Sequence, residues 1–258
     1  MEYIQFIPVY SEVRLKSFNL APVVLGCINA AGYMLQPGDI LIISSKFVAI
    51  AEGRVVTLAD VQPEPQAHAL AAKYALDPAL AALIIQESDH IFGGIPGFVL
   101  CAKDNILAPN AGIDTSNIPA GQVVLYPADP FGSAAALRDN LTQLTGHDIG
   151  VVLSDSRLMP GRTGTTGVAI GVAGFDPVVD ERGKPDLLGR PLVVSQRAVA
   201  DNLCAGAELL MGEGAEGVPI VVAHGTGVPL TQRAYSSADL TIDYHDDLYV
   251  SILGNSPA

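Results

Sequence analysis

Residues 151–157 read Val-Val-Leu-Ser-Asp-Ser-Arg, an apolar run that delivers one carboxylate and two hydroxyls side by side. If the run is a buried strand, Asp155 and Ser156 emerge where it ends, at one edge of a sheet. Hard cations such as Mg2+ take oxygen ligands and keep several waters, which suits Asp155 together with the Ser156 hydroxyl. Asp155 could equally cap the turn that follows. A second segment, residues 110–117 (NAGIDTSN), holds Asn110, Asp114, Thr115, Ser116 and Asn117. Asp114 would supply a second carboxylate, and the Asn117 amide could meet a base, a ribose or a phosphate. An ordinary Asx-rich loop has the same composition. A third, residues 211–217 (MGEGAEG), is rich in glycines that let backbone N–H groups approach a phosphate. It follows a helical pattern instead of opening one and lacks the GxxxxGK[ST] arrangement, so a plain turn also accounts for it.

Five of the nine arginines, Arg157, Arg162, Arg182, Arg190 and Arg197, fall within 41 residues. In an acidic chain this clustering suggests anion handling, although Asp180, Glu181 and Asp186 offer surface ion-pair partners. Other familiar arrangements are missing: GxGxxG after a strand, HExxH, GxSxG, CxxC. His68, His90, His147, His224 and His245 have no metal-ligand spacing. Cys27, Cys101 and Cys204 lie far apart, which predicts reduced thiols packed as small apolar residues in a cytoplasmic protein.

The elements around these segments mix helices in blocks with strands in meanders. Residues 21–33 predict a helix. After Gly38-Asp39 comes a β-rich run, ILIISSKFVAIAEGRVV, with 40–43 as a buried strand interrupted by Ser44-Ser45. Asp77-Pro78 starts a helix as N-cap and first residue. GFVLCAK, NILAPNAGID and GQVVLYP read as strands and turns. Ser133 serves as N-cap and Gly146 as stop for another helix. Residues 192–195 read as a strand, and 198–211 as a helix with Val199, Leu203, Ala207 and Leu210 on one face. VPIVVAHG closes the pattern as a strand. The apolar VAIGVAGF suits a core or an interface. Without regular βαβ alternation, the expected class is α+β, with mixed, largely antiparallel sheets and packed helices.

The 258 residues suffice for a sizeable core, in a single unit or in two intertwined lobes with a break near 128–148. A net charge of −13 repels nucleic acid and anionic lipid. No apolar run approaches the ~20 residues of a membrane span, and the acidic start has no basic leader region. A phosphorylated ligand would therefore need local cations, and ions held on carboxylates are one source.

The segments ISSKFVAIAEGRVV, NAGIDTSNI, DPFGSAAALR, VVLSDS, GVAIGVAG, RGKPDLLGRPL and VADNLCAGAELLMGEGAEGVPIVV, with the later HG, resemble the coenzyme F-420 gamma-glutamyl ligase family. The resemblance runs over residues 3–225. It implies a gamma-glutamyl ligase-like fold and a homodimer. It also implies GTP as co-substrate with Mg2+ or Mn2+ at two sites, K+ as a further candidate ion, and L-glutamate added to a deazaflavin acceptor; departures from the family pattern open a related pterin-like or folate-like acceptor. The acceptor carboxylate would take the γ-phosphoryl group, and the glutamate amine would then displace phosphate.

Position by position, the family's metal ligands fall on Asp114, Asp155, Ser156 and Glu213. Its nucleotide contacts fall on Ile7, Pro8, Val9, Tyr10, Ser45, Lys46, Asn117, Met211, Gly212, Gly214, Ala215, Glu216, Gly217 and Val218. Asp114, Asp155 and Arg162 become the catalytic candidates. Two departures stand out. Ile50 occupies a position where the family has Lys, and Lys46 would lie ~13 Å away along an extended chain. The family's Asp-Thr-x-Gly-Arg becomes Asp155-Ser156-Arg157-Leu158-Met159, while Arg162 and Gly164 match a later Arg-x-Gly. These departures leave a non-catalytic nucleotide- and metal-binding paralogue, or a metal-dependent phosphohydrolase, as alternatives.

Overall fold

The computed structural model describes residues 3–251; Met1 and Glu2, the acidic start, lie outside that range. In chain order the elements are β1 (Gln5–Val9), α1 (Leu20–Ala30), β2 (Ile40–Ser44), α2 (Ser45–Ala51), β3 (Val55–Thr57), α3 (Pro65–Tyr74), α4 (Pro78–Glu87), β4 (His90–Ile95), β5 (Phe98–Lys103) and β6 (Ile106–Pro109). There follow β7 (Gln122–Val124), α5 (Pro130–Thr145), β8 (Gly150–Leu158), β9 (Thr165–Ala173), β10 (Val178–Asp180), β11 (Gln196–Ala198), α6 (Val199–Met211) and β12 (Ile220–His224). The class is α+β, as the mixed element order predicts.

A five-stranded sheet in the order β1-β12-β2-β8-β9 forms the centre. All its pairs are antiparallel except β2 with β8, in register from Ile40↔Gly150 to Ser44↔Ser154. Parallel neighbours cannot be joined by a hairpin. The connection here carries α2 to α5 and two small sheets, β3-β7 and β4-β5-β6. Strands β2 and β8 are near-continuous aliphatic runs because they are covered on both faces. The core that covers them includes Ile28 of α1, Leu141 of α5 and Leu203 of α6. A separate apolar cluster joins Leu83 and Ile84 of α4 to Cys101 of β5 and Val123 of β7. No single helix among the described residues is long and apolar enough to cross a membrane. All three thiols are unpaired, and Cys101 and Cys204 are buried.

Local chemistry sets several boundaries. Asp77 caps α4, its Oδ1 accepting from Ala79 N at 2.7 Å and Leu80 N at 3.2 Å. α5 begins earlier than Ser133. Asp129 is its N-cap, accepting from Gly132 N at 2.9 Å with Pro130 in the first turn, and Gly146 ends it at φ 75°. Proline's fixed φ suits that first position, so Asp-Pro outcompetes the serine. The expected strand at 192–195 is irregular, and β11 forms at Gln196–Ala198, where Arg197 pairs with Val179. The α6 face ends on Met211, which is buried, while Leu210 packs only partly. VAIGVAGF belongs to the core, with Ile170 and Phe175 fully buried.

The largest correction lies in 44–54. The run predicted as β-rich turns into helix α2 directly after β2, and all its residues but Lys46 are buried. Branched residues favour strands only weakly, and burial decides. Lys46 and Ile50 are therefore one helical turn apart on a common face, not 13 Å apart along a strand.

Two glycines on β9 let the helices approach the sheet. A Cβ at Gly167 would stand 2.4 Å from Cys204 O of α6, and one at Gly171 2.4 Å from Pro130 O of α5. Neither obstacle is a flexible side-chain end. Gly171→Val should thus lower stability by about 1–3 kcal/mol, the usual range for overpacking, read as a reduced urea midpoint at unchanged slope. An unchanged midpoint would show that α5 can retreat without loss.

Candidate active site

β2 stops at Ser44 while β8 runs on to Leu158, so Asp155 is not at a strand's end but in its middle, just past its shorter neighbour. The β8–β9 register slips between Leu153 and Ser154, where β9 contributes an extra residue. Ser154, Asp155 and Ser156 all line a cavity of about 530 Å³ beside this edge. The start of α2, residues 11–14, the loop after β6, Tyr126 and the loop after α6 supply the remaining walls.

Asp155 is half-buried. Its Oδ1 accepts from Ser45 Oγ at 3.2 Å, and its Oδ2 accepts from the Tyr126 hydroxyl. Burial pushes the Asp155 carboxyl up. The Tyr126 hydrogen bond, the Arg157 guanidinium and Ser45 pull it down, and Asp114 adds to the rise. Burial also raises the Tyr126 phenol well above its ordinary range, so it keeps its proton and donates it. Gly112 makes this contact possible, since a Cβ there would meet the Tyr126 ring at 2.1 Å.

Asp114 is bonded to the chain around it. Its backbone pairs with Val124 of β7, and its Oδ1 accepts from Ser116 N at 2.6 Å. Lys46 Nζ lies 2.6 Å from Asp114 Oδ2 and donates to Ser116 Oγ at 2.8 Å. Asn110, from the same motif, is structural: it accepts from Val99 N at 2.9 Å and donates to Gly97 O at 3.2 Å, pinning the loop to the β4–β5 hairpin. Asn117 bridges to the third segment by donating to Gly214 O at 2.9 Å.

In that third segment Glu213 accepts from Ser156 Oγ at 3.3 Å and from the Thr165 hydroxyl. Glu216 folds back to accept from Gly214 N at 2.8 Å, so this N–H already has a partner. Glu208, one turn before the end of α6, also lines the cavity. Burial, the neighbouring Glu213 and Asp155 together push its carboxyl up to about 7.

The structure therefore brings Ser45, Lys46, Asp114, Asn117, Asp155, Ser156, Met211, Gly212, Glu213, Gly214, Ala215, Gly217 and Val218 to one cavity. Ile7, Pro8 and Val9 instead pair with β12, and Tyr10 is exposed. The cavity edge lies a few residues on, at Ser11 to Arg14. Arg162 sits in the turn between β8 and β9, outside the cavity. Sequence reasoning missed Arg14, Tyr126 and Glu208. Single residues of common types carry no spacing signal, though Glu208 interrupts an otherwise apolar turn of α6.

The donor set suits a hard cation. Asp114, Asp155, Ser156 and Glu213 offer oxygen alone, and the Glu208–Glu213 repulsion is one a divalent ion would relieve. Among the described residues, no three His, Cys, Asp or Glu side chains already form a ligand group. Lys46 and the hydroxyls hold those oxygens instead.

An α+β chain with oxygen donors from three separate segments around one cleft is the class that fold and site define. The family described as F420-0:Gamma-glutamyl ligase matches residues 13–225. Coenzyme F420:L-glutamate ligase of Methanothermobacter thermautotrophicus is 38% identical over 208 residues, covering 80% of this chain and 82% of that protein. The protein of the same name from Methanopyrus kandleri is 39% identical over 192 residues, covering 74% and 76%. That from Archaeoglobus fulgidus is 38% identical over 193 residues, covering 75% and 78%. This chain belongs to the F420-0:gamma-glutamyl ligase family.

A carboxyl raised in the folded state stabilises below its ordinary value and loses that contribution as pH rises through its folded value. For Glu208 the window runs from 4.5 to about 7. Metal-free protein should therefore melt progressively lower across that window, and Glu208→Gln should flatten the slope. Equal slopes in thermal melts of both proteins would contradict the assignment.

Proposed function

We propose that this chain is a GTP- and divalent-metal-dependent ligase. It joins L-glutamate in γ linkage to a carboxylate of a coenzyme F420 precursor, or of a related pterin-like or folate-like acceptor, through an acyl phosphate. The observation that carries the reading is the opening of Asp114, Asp155 and Glu213, from three separate segments, on one cavity that also holds Lys46. Family membership and the names of the relatives support glutamate transfer to F420.

Asp114, Asp155, Ser156 and Glu213 would hold Mg2+ or Mn2+, which supplies charge neutralisation on the phosphates. Lys46 adds a fixed ammonium at the cavity wall, one helical turn from Ile50, the position where the resemblance implies a Lys. That placement favours a working phosphate site over a non-catalytic one. The acceptor carboxylate oxygen attacks the γ-phosphorus and GDP leaves. The glutamate amine then attacks the acyl carbon, phosphate leaves, and the amine gives up its proton. Ser45 and Tyr126 hold Asp155 in one orientation throughout, so most of the catalysis is positioning.

Protein incubated with GTP, Mn2+, L-glutamate and the deazaflavin precursor should yield a glutamylated product by mass spectrometry, and Asp155→Asn should cut the rate roughly 10²–10³-fold. Phosphate release without glutamate would replace the reading with a phosphohydrolase. Tight Mn2+-dependent GTP binding with no product would leave a binding paralogue.

The homodimer belongs to the same reading. Leu187, Leu188, Val193 and Val194 are exposed on the excursion between β10 and β11. The charges there pair locally, Arg182 with Asp180, Lys184 and Arg197 with Glu181, and Arg190 with Asp186. A neutralised apolar arm on so acidic a chain suits contact with a second copy. Sedimentation should give twice the 26.8 kDa chain mass, and Leu187→Lys with Leu188→Lys should shift it to the single chain. A single-chain mass for the unaltered protein would rule the dimer out.

A further inference from the structure

Beside this site, Arg157 has two buried side-chain donors without a partner among the described residues, where Arg14 and Ser154 on the cavity wall each leave one atom unpaired, Nε and Oγ. It stands two residues after Asp155 on β8, opposite Thr166 of β9. Alternation along a strand turns both side chains to the same face. The guanidinium lies close enough to Tyr126 and Asp155 to favour negative charge on each. Its Nε and Nη2 are closed off from solvent and meet no hydrogen-bond partner among the described residues. By contrast, Arg182, Arg190 and Arg197 each have a carboxylate partner.

A buried charged donor without a partner is costly, which favours a partner that arrives with a ligand. The two orphaned atoms form the edge of the guanidinium that grips a carboxylate or phosphate through parallel N–H···O bonds. Tyr126, against which Arg157 lies, lines both the main cavity and a smaller one of about 20 Å³ shared with Lys103 and Asp104. Arg157 itself lines neither cavity; Tyr126 is the wall residue it lies against.

We propose that Arg157 is a substrate-binding residue of this site, its Nε–Nη2 edge taking an oxyanion beside Asp155. The inference rests on the ligase reading for its candidate ligands. These are the nucleotide phosphates on one side and the carboxylates of acceptor or glutamate on the other.

Calorimetry with sodium tripolyphosphate and with glutarate, each in the presence of Mn2+, tests the fork without requiring turnover. Arg157→Gln should weaken one probe by about tenfold, the scale of a charged hydrogen-bond pair. Loss for tripolyphosphate assigns the fork to the nucleotide, and loss for glutarate assigns it to a carboxylate substrate. Arg157→Lys keeps the charge without the fork, should lose affinity for the same probe, and carries the test if the Gln variant does not fold. Unaltered protein that binds neither probe, or variants that bind both as tightly as it does, would overturn the proposal. So would a lowered Tm with unchanged probe affinities, which marks a merely structural arginine. If the protein binds a probe and loses it in the variant but makes no glutamylated product, the ligase reading fails and the oxyanion fork stands.

Discussion

The parallel pairing of β2 with β8 governs much of this molecule. The two strands run the same way, side by side, with the carboxyl end of β2 level with the middle of β8, so Ser44 and Ser45 meet Ser154 and Asp155 where the shorter strand stops. The same pairing forbids a short connection. The chain between the two strands has to leave the sheet, build further structure and return. On that excursion it collects Lys46, Asp114, Asn117 and Tyr126, and brings them back against the edge it left. The cavity is thus bounded on one side by the sheet and on the other by the sheet's own crossover.

Charge in this cavity is arranged around Asp155. It receives hydrogen bonds from a serine and a tyrosine and lies near an arginine, yet burial and Asp114 work against its ionisation. Glu208 and Glu213 repeat the conflict a short distance away. Acidic groups held this close repel one another, and burial adds to the cost of ionising them. The stability of the fold is therefore tied to the protonation of these side chains.

The sequence announced the elements with local punctuation: Asp77-Pro78, Gly146 and the aliphatic runs of β2, β8 and β12 all appear where their residue types put them. It also announced the three donor segments, because each packs several polar residues next to a buried run. What it hid was decided by long-range packing. The Ser45–Ala51 segment has strand-like composition but becomes a helix, since it must turn off the end of β2 into a buried position. Tyr126 and Glu208 matter because of neighbours 29 and 5 residues away, Asp155 and Glu213. Gly112 reads as a turn glycine until the Tyr126 ring is seen lying against it. Three of the expected nucleotide contacts, Ile7 to Val9, belong to a strand and Tyr10 follows it exposed, so the chain reaches the cavity only after that strand ends.

Helix α2 has a consequence for how such a site can drift over time. On a strand, moving a lysine by four positions carries its ammonium out of reach. On a helix, the same shift returns it to the same side, one pitch higher, and the flexible side chain absorbs much of the difference. The helix that begins at Ser45 therefore gives this lineage spare anchoring points for positive charge. Lys46 faces Asp114, and a lysine at position 50 would project from the same side of the helix. Exchange of charge between such rungs leaves the cavity's electrostatics largely intact while blurring any motif written in fixed positions.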